Sequence, residues 1–235
     1  SACAAKQVVY SFERATAAGV DGALTVRHSE GDSAAAWLLA SLDFSTLAID
    51  AVRAADPQCA QLVGAPQFQY HIHVDWQNAS RASGSFAECA KSATGNHYDP
   101  DFACGPASEH VGSAACAEKT PKYNCSPVRY AQDPSVCEKG DLSGKVGNLV
   151  VGPNGFASGE WKDPHFPLYH ERRPHWSIVL HAVCGSATPR IACAMGIEGD
   201  APTLQETGDE AAAAAEGDYT GEYDESYDWV DELRA

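Results

Sequence analysis

Apolar and β-branched residues fall in short runs, separated by polar or glycine-containing breaks. Val8 to Glu13 (VVYSFE) is rich in β-formers, and Val20 to Val26 and Ala36 to Phe44 follow after such breaks. Short strands with turns between them predict an all-β sandwich or barrel. Alternation is imperfect over Ala34-Ala35-Ala36-Trp37-Leu38-Leu39-Ala40, a stretch that reads equally as helix. Ile49 to Pro66, with Pro57 and Cys59, reads as an insertion with a helical turn around Ala51-Arg53. Phe68, Tyr70, Ile72 and Val74 then mark a strand. Residues two apart in a strand share a face, so His71 and His73 present two imidazoles side by side. Neutral imidazole suits copper, zinc, iron and nickel.

From Asp75 to Lys139 the pattern loses its period. This long stretch holds five of the cysteines and several prolines, and long loops of this kind in a compact domain are functional or specially stapled. Within it Gly95-Asn96-His97-Tyr98-Asp99-Pro100 is a turn presenting a histidine. Cys137 to Gly147 is a Gly-rich loop containing Glu138 and Asp141. Asn148 to Gly152 and the segment before His165 read as further short strands or turns. His165, His170 and His175 lie in a polar, Pro-containing surface stretch. Trp176 to Val183 is the clearest strand of the second half, with His181 near its end, and Thr188 to Ile197 closes as another strand.

Charge and cysteine content add further constraints. The formal net charge is −16, which argues against nucleic acid and anionic membranes as partners. Thirteen acids and one base, Arg234, lie from Glu198 onward, so most of that charge is terminal. The pattern predicts a body over residues 1–198 and an acidic, Tyr-rich, disordered tail over 199–235. The nine cysteines include no C-x-x-C pair, which disfavours a zinc ribbon and favours disulfides in an oxidising compartment. The sequons Asn78-Ala79-Ser80 and Asn124-Cys125-Ser126 mark Asn78 and Asn124 as glycosylation sites and agree with secretion. Ser1-Ala2-Cys3 reads as a mature end left after signal-peptide removal, and no run is long enough to span a membrane. An odd cysteine count leaves at least one thiol free, modified or paired to another chain.

Five pieces in order, H-I-H, G-N-H-Y-D-P, G-D-L-S-G, S-I-V-L-H and P-R-I-A-C-A-M-G, resemble the copper/zinc superoxide dismutase family over roughly residues 6 to 197. The resemblance implies a Greek-key β-barrel of about eight strands with long disulfide-stapled loops. It implies copper on His71, His73, His97 and His181, a cation at Arg190 beside it, and a Cys89–Cys193 disulfide. Departures point to the copper-only extracellular branch. The zinc histidines are matched only by Cys104-Gly105-Pro106 and by His110, which reads as a surface residue. The stretch between His181 and Arg190 is short. In that branch zinc is absent, and Glu138 and Asp141 support His97.

By this resemblance the chain is a secreted or cell-surface copper-only superoxide dismutase, with superoxide as substrate. It would convert superoxide to dioxygen and hydrogen peroxide by cycling copper. The Cys-rich insertion that follows His110, and the acidic tail, also fit a structural or adhesive extracellular protein, built on the same domain, that retains copper and engages a protein partner or self-assembles. A copper carrier is the third reading. Arg190 favours the enzyme, since neither alternative needs a cation aimed at an anion.

Overall fold

The computed structural model describes residues 6–29, 33–62, 66–78 and 80–200. Strict alternation builds the first part of the sheet. The strand β1 (Lys6–Phe12) turns Val8, Tyr10 and Phe12 inward, and β2 (Asp21–His28) turns in Leu24, Val26 and His28. In β3 (Ala36–Asp43) the inward set is Ala36, Leu38, Ala40 and Leu42. The run that reads equally as helix is therefore strand. Its buried positions recur every second residue while Trp37 faces out, and β2 lies antiparallel beside it. Tertiary pairing overrides the helix preference of alanine and leucine there.

Six more strands follow: β4 (Gln67–His73), β5 (Ser83–Ser85), β6 (Leu149–Val150), β7 (Phe156–Asp163), β8 (Ser177–Ala182) and β9 (Arg190–Asp200). Their order is β6-β4-β8-β9-β1-β2-β3-β7, with β5 attached to β9. Every pairing is antiparallel. The end strands β6 and β7 are consecutive in the chain, and the Gly152 N–H donates to the Phe156 carbonyl across the turn between them. The eight ordered strands thus form a nearly closed antiparallel barrel. The neighbours β4–β8, β9–β1 and β3–β7 are distant in sequence, as Greek-key crossovers require. Phe12, Leu24, Leu38, Phe68, Tyr70, Ile178 and Leu180 fill its interior.

β4 and β8 differ from β1–β3 in being buried on both faces. Phe68, Tyr70 and Ile72, with Ile178, Leu180 and Ala182, face the core. The other face carries His71, His73, Val179 and His181 and lies under the long connection of residues 74–148. That connection is not structureless: besides β5 it holds α2 (Lys91–Thr94), α3 (Pro127–Gln132) and α4 (Leu142–Val146), after an earlier α1 (Ile49–Ala55). Elements this short carry no readable hydrophobic period. Disulfides hold them instead: Cys89–Cys193, Cys104–Cys116 and Cys125–Cys137, with Cys59–Cys184 pinning the α1 region to the turn after β8. Lys145 of α4 also pairs with Asp163 of β7, both side chains fully buried, and the Tyr130 hydroxyl donates to the same carboxylate. Burying two charges is tolerable when such partners are present, and this pair anchors the loop that carries Glu138 and Asp141.

β9 runs to Asp200, pairing Gly199 with Gln7 and Asp200 with Lys6, two residues beyond the boundary drawn from composition. The rest of the acidic tail and Cys3 lie outside the described residues.

Candidate metal centre

Register brings the centre together. On β4 and β8, Gln69 is opposite His181 and His71 is opposite Val179, so these side chains share the outer face. β9 extends the row, with Arg190 opposite His181 past a bulge and Cys193 opposite Val179. His97 arrives from the connection. Its segment adds to β4: Val74 N–H donates to Asn96 O, and Tyr98 N–H donates to Ile72 O.

His71, His73, His97 and His181 are all buried, with one ring nitrogen from each lying within 4.8 Å of the others. His73 Nε2 and His181 Nε2 are 3.4 Å apart, while His71 Nδ1 and His97 Nε2 have no hydrogen-bond partner among the described residues. The opposite nitrogens face fixed groups. His73 Nδ1 is 3.0 Å from the Gly95 carbonyl, and His181 Nδ1 is 3.0 Å from the Thr188 carbonyl. His97 Nδ1 is 2.6 Å from Glu138 Oε2, and His71 Nε2 is 3.4 Å from Asp141 Oδ1. A carbonyl or carboxylate at one ring nitrogen holds the proton there and leaves the other lone pair for a metal. Buried nitrogens without partners cost free energy unless something fills the gap, so this set fits a nitrogen-liganded transition metal.

Electrostatics agree with that arrangement. Burial first, then the neighbouring imidazoles and Arg190, hold His71 and His73 well below the ordinary histidine range. Burial first, then His97, lowers His181 to about 3. All three rings are therefore neutral and ligand-competent near pH 7. Burial raises the Glu138 carboxyl, and its bond to His97 opposes that rise. The two carboxylates divide their work: Glu138 serves His97, whereas Asp141 faces His71 and also accepts from Gly144 N–H as the N-cap of α4. Glu138 reaches His97 because Gly105 has no side chain, since a Cβ there would collide with the Glu138 carboxylate.

Arg190 sends Nη1 to the Cys89 carbonyl, the Thr94 hydroxyl and the Gly95 carbonyl, at 3.2, 2.7 and 3.0 Å. Gly95 thus receives both Arg190 and His73. The Cys89–Cys193 bond sits beside this junction in a small apolar cluster with Trp76 and Val179. A cavity of about 390 Å³ opens over His71, His97 and His181, walled by Tyr123, Glu138 and Asp141.

Other singled-out residues lie elsewhere. Cys104 is bonded to Cys116, and the His110 ring stacks on Phe102 at 4.0 Å. The four histidines are the one group of three or more His, Cys, Asp or Glu side chains with metal-binding spacing among the described residues. His170 and His175 are exposed and His165 is half-buried. Asn124 is exposed, while half-buried Asn78 donates to Glu88. Tyr123, whose hydroxyl donates to Asp141 Oδ2 at 2.7 Å, is not among the residues that the sequence singles out. Nor are the two carbonyls, because backbone acceptors have no sequence signature.

No family model and no curated protein matches the chain. Among solved structures, the Cu(II) form of Candida albicans superoxide dismutase 5 is similar, at 22% identity and TM-score 0.46, over 83% of this chain and 92% of that one. Two mutants of the same protein give 21% identity with TM-score 0.47 over 83% and 90%, and 20% with 0.48 over 84% and 94%.

Proposed function

We propose that the chain is a secreted copper-dependent superoxide dismutase, working with copper alone. His71 Nδ1, His73 Nε2, His97 Nε2 and His181 Nε2 hold the metal. The observation that carries the reading is the convergence of four buried imidazoles, each steered by a fixed group at its other nitrogen. Four imidazoles suit Cu(II) in tetragonal geometry. Bound copper would supply one-electron redox chemistry, taking an electron from one superoxide to give dioxygen and returning it, with two protons, to a second to give hydrogen peroxide.

The chain's own residues do the rest. With the metal reduced, His97 Nε2 would let go of it and hold one of the two protons that the reduced oxygen product takes up, the other coming from solvent. Glu138, bonded to His97 Nδ1, fixes the tautomer and favours the charged ring when that proton is present. Arg190 attracts and orients the superoxide anion, its guanidinium fixed by two carbonyls and a hydroxyl. The zinc-free reading is supported by Cys104 being disulfide-bonded and by His110 standing on Phe102 and not being part of the histidine group. Secretion is supported by four disulfides among the described residues and by the exposed sequon at Asn124. Among the described residues no helix is long and apolar enough to cross a membrane.

Superoxide decay followed with metal-free and copper-loaded protein tests the reading. Catalysis by the loaded form alone is expected. A loaded protein that leaves the spontaneous decay unchanged overturns it.

A further inference from the structure

We infer that Tyr123 is a positioning residue of the metal centre, its single hydroxyl setting both carboxylates that face His97 and His71. The inference rests on the copper reading above. Tyr123 belongs to the insertion, between the Cys104–Cys116 and Cys125–Cys137 bonds. Its Oη donates to Asp141 Oδ2 at 2.7 Å and accepts from the Glu138 backbone N–H at 3.2 Å. A neutral phenol has one donor and spare lone pairs, so one atom can do both. A carboxylate lies beyond each bond. Asp141 Oδ1 is 3.4 Å from His71 Nε2, and Glu138 Oε2 is 2.6 Å from His97 Nδ1.

The ring is held as closely as the hydroxyl. A Cβ on Gly105 would press on the Tyr123 ring as well as on the Glu138 carboxylate, so bare backbone at 105 is what lets both approach. Burial first, then Asp141 and Glu138, raises the phenol's pKa, which keeps it protonated and able to donate. Tyr123 also walls the cavity over His71, His97 and His181. The two-disulfide insertion thus has a task at the metal centre, which is to deliver this hydroxyl.

The test compares two variants of the full chain, Tyr123→Phe and Tyr130→Phe. Each removes a tyrosine hydroxyl that donates to an aspartate, but the Tyr130 partner is Asp163, in the anchor between α4 and β7. With copper bound, Tyr123→Phe is expected to change the Cu(II) electron paramagnetic resonance spectrum and lower the superoxide rate about 10-fold or more at unchanged copper content. Tyr130→Phe is expected to lower the melting temperature and leave the spectrum alone. In metal-free protein, nitrogen NMR should show shifted His71 and His97 ring signals in Tyr123→Phe only. A Tyr123→Phe protein with wild-type spectra, rate and ring signals overturns the inference. A wild-type chain that takes up no copper overturns the functional reading instead, and the metal-free ring signals then decide Tyr123 by themselves.

Discussion

At His97 one nitrogen is committed to Glu138 at 2.6 Å while the other has no partner among the described residues. Glu138→Gln keeps the shape and loses the charge that favours a protonated ring. Its superoxide rate is expected to fall about 10–100-fold while copper content stays at the wild-type level, both measured on one preparation. An unchanged rate would show that the loop does not serve the metal. Arg190→Met strips a donor from the Cys89 and Gly95 carbonyls, so it should cost about 1–3 kcal/mol of stability as well as rate. Across a salt series, any fall in rate with rising ionic strength should be lost in this variant, because the charge proposed to steer superoxide is gone while the repulsion of the acidic tail remains. Of these residues, the His71 and His73 pair was legible from the period of a strand. His97, His181 and Arg190 were legible only through motif resemblance, because their partners are far away in sequence. Tyr123 and the Gly95 and Thr188 carbonyls left no sequence signal: one lies in an aperiodic insertion and the others are backbone.

The elements owe their placement to pairing on one side of the barrel and to cross-links on the other. β1 to β3 were legible because one face is wet and one dry. β4 and β8 are buried on both faces, so their histidines could not be told from core by burial pattern alone. The connection of residues 74–148 hid β5 and three short helices, which disulfides hold in place of hydrophobic period. Cys89 and Cys193 span 104 residues, and removing a native bond of this kind costs about 2–5 kcal/mol. The Cys89→Ser, Cys193→Ser double variant should therefore unfold at lower denaturant. It should also bind copper more weakly, because the Cys89 carbonyl shares Arg190 with the Gly95 carbonyl that orients His73. Equal copper affinity in the two proteins would separate the cross-link from the metal centre.

For the whole molecule, charge and protonation set the operating range. Burial first, then Arg172 and Lys6, lowers His28 to about 4, and His181 is lowered to about 3. The unfolded chain binds these protons near pH 6.5, so between those values it holds more protons than the native state. Native stability then rises with pH: it is full above about pH 6.5 and is lost as pH falls through about 4 toward 3. His71 and His73 act in the same sense. The raised Glu138 acts in the opposite sense, its contribution being lost as pH rises through its folded value. Urea unfolding of metal-free protein across pH 3–7 checks the net sign. Residues 201–235 carry most of the net negative charge, and their composition predicts no part in the barrel. Truncation after Asp200 should leave melting temperature and copper content unchanged. It should raise the superoxide rate at low ionic strength, with the gain fading as the screening length shortens to about 8 Å at physiological salt. An unfolded truncate would contradict this.

The proposed metal content is a single copper on four histidines with no zinc beside it. Elemental analysis of the purified full chain, after loading with both metals and removal of excess, tests it most directly. One copper per chain and no stoichiometric zinc are expected, with copper lost in His71→Ala and His181→Ala. One zinc per chain, or copper retained in both variants, would contradict it.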